Sequence, residues 1–271
     1  ILVARLYSLG LGVPMIAAER GAPARFRHMV GGSRWRIIEF NGMRLARKVV
    51  IQCESYRSQY PAFLRDKIEV IPNPVFPADR QASPERPGPR GSLRILSVGR
   101  LSHQKNYESL LRAFASLAGR FPSWDLVILG EGDRRAALEG IVREAGLSGR
   151  VRLPGAESDV AEWYQGAHLF CLPSRHEGFP NALAEAHAHG LPAVGFAGCA
   201  GVDELIEDGK TGLLAAGNGD VETLSQSLAR LMSQPEQRRA MGAAGRRAME
   251  AYRPGIVMDM WERLFEEARE R

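Results

Sequence analysis

The chain has 271 residues, 45% of them hydrophobic, with 36 Lys and Arg against 31 Asp and Glu for a formal net charge of +5. That length and balance allow two packed domains and exclude a disordered chain or a fibrous repeat. Apolar runs such as Val49–Ile51, Leu126–Leu129 and Leu169–Leu172 fall far short of the roughly 18 residues that span a bilayer, so no transmembrane helix is expected.

In chain order, Pro14–Ala18 and Lys48–Cys53 read as strands, separated by a basic segment, and Ile68–Ile71 closes this first unit. Residues 1–75 carry 12 basic and 5 acidic side chains, whereas 76–271 carry 24 and 26, so the positive charge belongs to the front. There Arg25, Arg27, Arg34, Arg36, Arg44, Arg47 and Lys48 surround Phe26, Trp35, Ile37, Ile38 and Phe40. Such a mix suits an anionic lipid surface, and a solvated helix face is the equally weighted alternative. Nucleic acid is disfavoured, because no binding motif accompanies the charge. The six prolines from Pro72 to Pro89 cannot continue a helix or a sheet, which makes 76–91 an expected interdomain linker.

From Gly91 the chain alternates. Leu93–Val98, Asp125–Leu129, Val151–Leu153, Leu169–Leu172 and Pro192–Phe196 read as strands. Tyr107–Leu117, Arg134–Ala145, Val160–Gln165, Asn181–His189, Val202–Ile206 and Val221–Leu231 read as helical. This α/β alternation implies parallel β-α-β units and a doubly wound sheet over 92–250, with ligands at the carboxyl ends of the strands. Pro254–Arg271 is expected to be a helix that packs through Ile256, Met260, Trp261, Leu264 and Phe265. Cys53, Cys171 and Cys199 have no metal-type spacing, so free thiols and a cytoplasmic protein are expected. The chain opens at Ile1 with no initiator methionine or signal pattern, and the front 75 residues are few for a Rossmann-like domain, so that domain is expected to be N-terminally truncated.

The stretch "SRHEGFPNALAEAHAHG" (Ser174–Gly190) follows a strand and opens a helix near Asn181, whose free N–H groups make an anion site. Glu185 lies about one turn in, where its side chain leans back toward the helix start, and Glu177 comes from the loop. Carboxylates beside an anion suit sugar hydroxyls: Glu185 a ribose, Glu177 a second sugar beyond a diphosphate. Arg100 and Lys105 in "VGRLSHQKN" supply the matching positive charge at the end of another strand. "DGKTG" (Asp208–Gly212) reads as a turn, because a phosphate loop would need a glycine where Glu204 stands. His187 and His189 read as core or surface residues, while His103 and His176 lie in the proposed cleft loops.

"GRLSHQKN", "GEGDRRAALE", "VRLPG", "EGFPNALAE" and "GVDELIEDGKTGLL", in this order over Leu93 to about Met249, resemble the retaining GT-B glycosyltransferases of glycosyltransferase family 4. "IPNPV" matches the end of that family's first domain, and "PMIAAERGAPARF" resembles the late part of it in enzymes of lipid-linked oligosaccharide and surface polysaccharide synthesis. The resemblance implies two Rossmann-like domains facing a cleft: 1–75 the rest of the acceptor-side domain, 92–250 the nucleotide-sugar domain, and 251–271 a helix packing back toward the first. It implies that Arg100 and Lys105 bind the donor diphosphate and Glu177 the transferred sugar, near the backbone of Gly178, Phe179, Pro180 and Asn181. Glu185 would take the ribose, Arg152 and Leu153 the base through backbone, and Gly130 would let the chain approach the nucleotide. No Asp-x-Asp motif is present, so neither a metal nor another cofactor is expected.

The expected function is transfer of a hexose or N-acetylhexosamine from a nucleotide sugar, a UDP-sugar by preference, with retention. The acceptor would be a glycan or a polyprenyl-diphosphate-linked glycan on the inner face of the plasma membrane. The alternatives are a UDP-sugar epimerase of the same fold and a non-catalytic sugar-nucleotide-binding fragment. The glycine-rich loop and histidine that the family carries in its first domain have no match in Ile1–Val75, which leaves turnover by this chain open.

Overall fold

The computed structural model describes residues 13–23 and 32–269. Arg25, Phe26 and Arg27 of the basic segment, and the last two residues of the helix expected over Pro254–Arg271, lie outside the described residues. The chain divides into two compact units, one drawn from Ile1–Pro74, His176–Phe179 and Tyr252–Arg271, the other from Val75–Arg175 and Pro180–Ala251.

In the first unit, β1 (Ile16–Ala18), α1 (Gly32–Met43), β2 (Lys48–Ile51), α2 (Ala62–Arg65) and β3 (Ile68–Val70) form a parallel sheet in the order β1-β2-β3. The C-terminal helix Pro254–Arg269 turns Val257 and Leu264 onto Val50 and Ile71, with Ile16, Met260 and Trp261 at the margin. This spacing buries one stripe, while Ile256 and Phe265, expected on the packing face, are exposed. Lys48 pairs with Glu69 and, at 3.5 Å, with Glu267, tying this helix to the sheet by charge as well.

The second unit holds β4 (Leu93–Val98), α3 (Tyr107–Ala118), β5 (Trp124–Leu129), α4 (Arg135–Glu144), β6 (Val151–Gly155), α5 (Val160–Gln165), β7 (Leu169–Leu172), α6 (Asn181–Ala188), β8 (Ala193–Phe196), α7 (Ala200–Leu205), β9 (Gly212–Ala215), α8 (Val221–Ser233) and α9 (Pro235–Ala248). Its six strands are parallel in the order β6-β5-β4-β7-β8-β9. The chain winds outward from β4 to β6, then returns to the far side of β4 and winds the other way. Its direction therefore reverses between β4 and β7, where adjacent loops diverge and leave a crevice at the carboxyl edge. Continuous apolar strands such as Leu126–Leu129 and Leu169–Leu172 fit burial on both faces. The helices supply the covering stripes, as with Leu110, Leu111, Phe114 and Leu117 of α3.

Three features go beyond the sequence expectations. Residues 76–91, expected as an interdomain linker, group with the second unit and are fastened to it. Ala82 N donates to His189 O at 2.9 Å, and Arg238 Nε to Pro84 O at 2.7 Å. His168 Nδ1 accepts from Arg94 N at 3.0 Å, so its Nε2 carries the proton and donates to Arg86 O at 2.9 Å. Pro84 has no N–H donor but keeps its carbonyl, and the carbonyls of Pro84 and Arg86 serve buried side chains that need acceptors. Strand β9 continues straight from the Asp208–Gly212 turn, its apolar run too short to stand out from sequence. Helix α9, very polar in composition, buries Gly242 and Gly245. A Cβ on Gly242 would lie 1.9 Å from Gly190 O, so the helix approaches the end of α6 backbone to backbone.

Candidate functional site

The carboxyl edge of the second unit's sheet is built from loops packed too closely for side chains. A Cβ on Gly130 would lie 2.1 Å from Gly99 O, and one on Gly132 would lie 2.2 Å from Leu101 O. Gly130 also has φ +137°, outside the range of other residues. Backbone bonds lock the same loops: Gly99 N to Leu129 O at 2.9 Å, Leu101 N to Glu131 O at 2.8 Å and Gly130 N to Gly155 O at 2.7 Å. Arg100 is exposed at the mouth of the loop after β4. Lys105, half-buried, runs back along Gly99, where an added Cβ would meet its Cε at 2.9 Å.

Across the switch point, the residues after β7 are tied to the loop after β4. Arg175 N donates to Gln104 O at 2.9 Å, and its Nη2 donates to Asn106 Oδ1 at 2.9 Å. Asn218 Nδ2 donates to Arg175 O at 2.7 Å, which adds the loop after β9. Ser174 Oγ, Arg175 Nε and Asn106 Nδ2 are buried with no hydrogen-bond partner among the described residues. Unsatisfied donors of this type are costly in a protein interior and fit an anion-binding edge.

Helix α6 opens at Asn181 with Pro180 as its cap, whose side chain makes no capping bond. Glu185, one turn in, accepts a hydrogen bond from Tyr164 Oη at Oε2, 2.9 Å away. Glu185 is exposed as a residue, yet packing around its carboxyl raises its pKa above the ordinary carboxylate value, and the Tyr164 bond pulls the other way. Tyr164 itself is buried, stacked on His189 with centroids 5.2 Å apart, and its pKa stands well above that of a free phenol because of burial and the Glu185 charge.

The residues Glu177, Gly178 and Phe179 group with the first unit and are described there. Glu177 is buried. Gly178 O accepts from Cys53 Sγ at 3.0 Å, and a Cβ on Gly178 would lie 2.4 Å from Arg20 O. Phe179 packs on Tyr252 with centroids 5.7 Å apart. Arg20 and Gln52 both donate to Asn73 Oδ1, Arg20 at 2.8 Å.

Arg100, Lys105, Gly130, Pro180, Asn181 and Glu185 thus share one sheet edge. Arg152, expected to act through its backbone, turns its side chain away from them. Its guanidinium lies over the Trp163 ring at 5.5 Å, on the same ring as Arg94 from the opposite end of β4, because alternate residues of a strand point to opposite faces and Arg152 precedes the strand end by three. Leu153 O accepts from Arg135 Nη1 at 3.1 Å, and Gly155 O accepts from Gly130 N at 2.7 Å. Sequence reasoning missed Tyr164 and Arg175. The signal for Tyr164 was a lone tyrosine inside a short amphipathic helix, which reads as core; that for Arg175 was a basic residue next to a strand end.

Residues 79–248 match the profile of the family described as "Glycosyl transferases group 1". The chain belongs to this glycosyltransferase family. Its fold is the GT-B type. An "Uncharacterized glycosyltransferase" of Haemophilus influenzae is 31% identical over 191 residues, 70% of this chain and 52% of that protein. The amylovoran biosynthesis glycosyltransferase AmsD of Erwinia amylovora is 27% identical over 168 residues, 62% of this chain and 46% of that protein. The chain therefore spans about half the length of these relatives. Among solved structures, Anabaena Alr3699/HepE in complex with UDP and glucose superposes with a TM-score of 0.81 at 17% identity, over 99% of this chain and 75% of that one.

Proposed function

We propose that the second unit binds a nucleotide sugar, with UDP as the preferred nucleotide, and that the protein transfers its hexose or N-acetylhexosamine to a glycan or lipid-linked acceptor with retention. The observation that carries this reading is the sheet's switch point, where Arg100 and Lys105 follow β4 and Glu185 sits one turn inside the helix after β7. As the bond from the anomeric carbon to the diphosphate breaks, its electron pair stays with the leaving diphosphate. Arg100, Lys105 and the N–H groups of α6 would stabilise that charge from fixed positions, with no metal required. Glu185 would accept from the ribose and Glu177 from hydroxyls of the transferred sugar. The backbone of the Arg152–Leu153 stretch would meet the base. The polysaccharide role of AmsD and the UDP and glucose bound to HepE support the substrate class.

The membrane belongs to the same proposal. Among the described residues, no helix is long and apolar enough to cross a bilayer. On α1, Trp35, Ile37 and Ile38 are 55%, 61% and 49% exposed beside exposed Arg34 and Arg36. Apolar side chains flanked by arginines suit the headgroup region of an anionic leaflet, where a lipid-linked acceptor would lie.

The test is UDP release from UDP-glucose and UDP-N-acetylglucosamine, with and without a lipid-linked glycan acceptor, in the presence of EDTA. Acceptor-dependent release that survives the chelator supports the proposal. Sugar interconversion without UDP release would mean an epimerase. Nucleotide binding without either reaction would mean a binding module.

A further inference from the structure

Tyr164 and Glu185 come from helices on either side of β7, and their contact is the only polar link that the described residues show to the Glu185 carboxyl. The Tyr164 hydroxyl has one proton and two acceptors in reach, Glu185 Oε2 at 2.9 Å and Ala182 O at 3.1 Å. The closer and ionised acceptor takes it, since a charge-assisted bond is about twice as strong as a neutral one. The ring is held from several sides: stacked on His189 at 5.2 Å, tilted against Phe170 at 5.9 Å, and 2% exposed. His189 is fixed in turn through Nδ1 to Arg80 O at 2.9 Å. A rigid donor therefore pins one carboxylate oxygen of an otherwise exposed, rotatable glutamate.

We propose that Tyr164 is a positioning residue of the nucleotide site: its phenol holds Glu185 Oε2 and leaves Oε1 aimed to accept from a ribose hydroxyl. This rests on the assignment of Glu185 to the ribose. Holding one oxygen also favours the ionised carboxylate against the burial that opposes it, and the ionised form is the stronger acceptor at the other oxygen. The titratable groups that bear on this pair are His189 stacked on Tyr164 and Tyr107, whose electrostatic influence reaches Tyr164.

The experiment is calorimetric titration of UDP and of 2′,3′-dideoxy-UDP into the whole chain and its Tyr164→Phe and Glu185→Ala variants between pH 5 and 8. Phe keeps the ring stacking, so the fold should persist, and a thermal melt of each variant checks this. For Tyr164→Phe the expectation is a loss of about three- to tenfold in UDP affinity at pH 7.5, the size of one indirect hydrogen bond. Little change is expected for the dideoxy analogue, along with a shift to higher pH of the point at which UDP binding weakens. Equal losses for both ligands, or an unmoved pH profile, would overturn the positioning role while Glu185→Ala still reported the ribose contact. Unchanged UDP binding in Glu185→Ala would overturn the ribose assignment itself, and the positioning role with it. In wild-type protein, a dideoxy analogue that binds as tightly as UDP would do the same without any variant.

Discussion

Arg175 Nη2 donates to Oδ1 of Asn106 at 2.9 Å, joining the end of β7 to a residue whose φ of 54° is the only positive value among the described non-glycine residues. Asn106 Oδ1 also accepts from Ser109 Oγ at 3.0 Å, so one amide oxygen fixes the start of α3 and the loop that carries Lys105. Asparagine tolerates this left-handed conformation better than most residues, and the acceptor it presents is buried.

Asn106→Ala should cost about 2–3 kcal/mol, from backbone strain plus the lost acceptor. Asn106→Gly should cost less, since it keeps the conformation and loses only the bonds. Urea denaturation of both variants checks the order; equal stability of Asn106→Ala and wild type would mean that the clamp carries no load.

Gly130→Ala should be among the most damaging single-methyl changes in the chain, because its Cβ would meet backbone, Gly99 O at 2.1 Å. A loss above about 3 kcal/mol, or no soluble protein, is expected. Gly146→Ala is the control: φ there is +68° but the added carbon meets nothing within 4 Å, so only the left-handed strain of about 1–2 kcal/mol applies. Thermal melts of the two variants give the comparison.

His168 and His187 are buried and neutral, and burial lowers the pKa of each from 6.5 to about 4. Between those values the unfolded chain binds more protons than the folded one, so stability is full above pH 6.5 and falls as the pH drops toward 4. The loss approaches about 3 kcal/mol per histidine. Chemical denaturation at pH 7.5, 6 and 5 should show this slope, and His187→Gln, which cannot take up the proton, should roughly halve it, leaving the His168 share. A flat profile in the wild type would contradict the buried neutral state.

Reversing Arg34 and Arg36 to Glu should weaken binding to vesicles containing phosphatidylglycerol by at least about tenfold, at roughly 1 kcal/mol for each arginine near an anionic surface. Wild-type binding should fall with added salt and be weak on phosphatidylcholine alone. Equal binding to both vesicles would place the attraction elsewhere.

Much of the sheet and its edge was legible because the same residues carry local and global signals. Leu93–Val98, Leu169–Leu172 and Asn181 mark strand ends and a helix start by apolar runs meeting Gly or Pro, and those boundaries fix where Arg100 and Glu185 stand. What could not be read depends on partners distant in sequence. The prolines of 76–91 mark an interdomain linker but do not show that Arg238, some 150 residues later, donates to Pro84 O. The place of the Arg152 guanidinium, over the Trp163 ring, is likewise set by a residue outside its own strand. Tyr164 has no sequence mark that separates a hydrogen-bonded phenol from a core aromatic.

The central claim, a sugar-nucleotide diphosphate held at the carboxyl edge of the second unit, is tested most directly by titrating UDP into the wild-type chain and its Arg100→Ala and Lys105→Ala variants. UDP binding that drops at least about tenfold in each variant, with uridine affected little, is the predicted result, since a charge-assisted contact to the diphosphate is worth roughly 1.5–3 kcal/mol. UDP affinity unchanged by both substitutions, in variants that melt like the wild type, would contradict it.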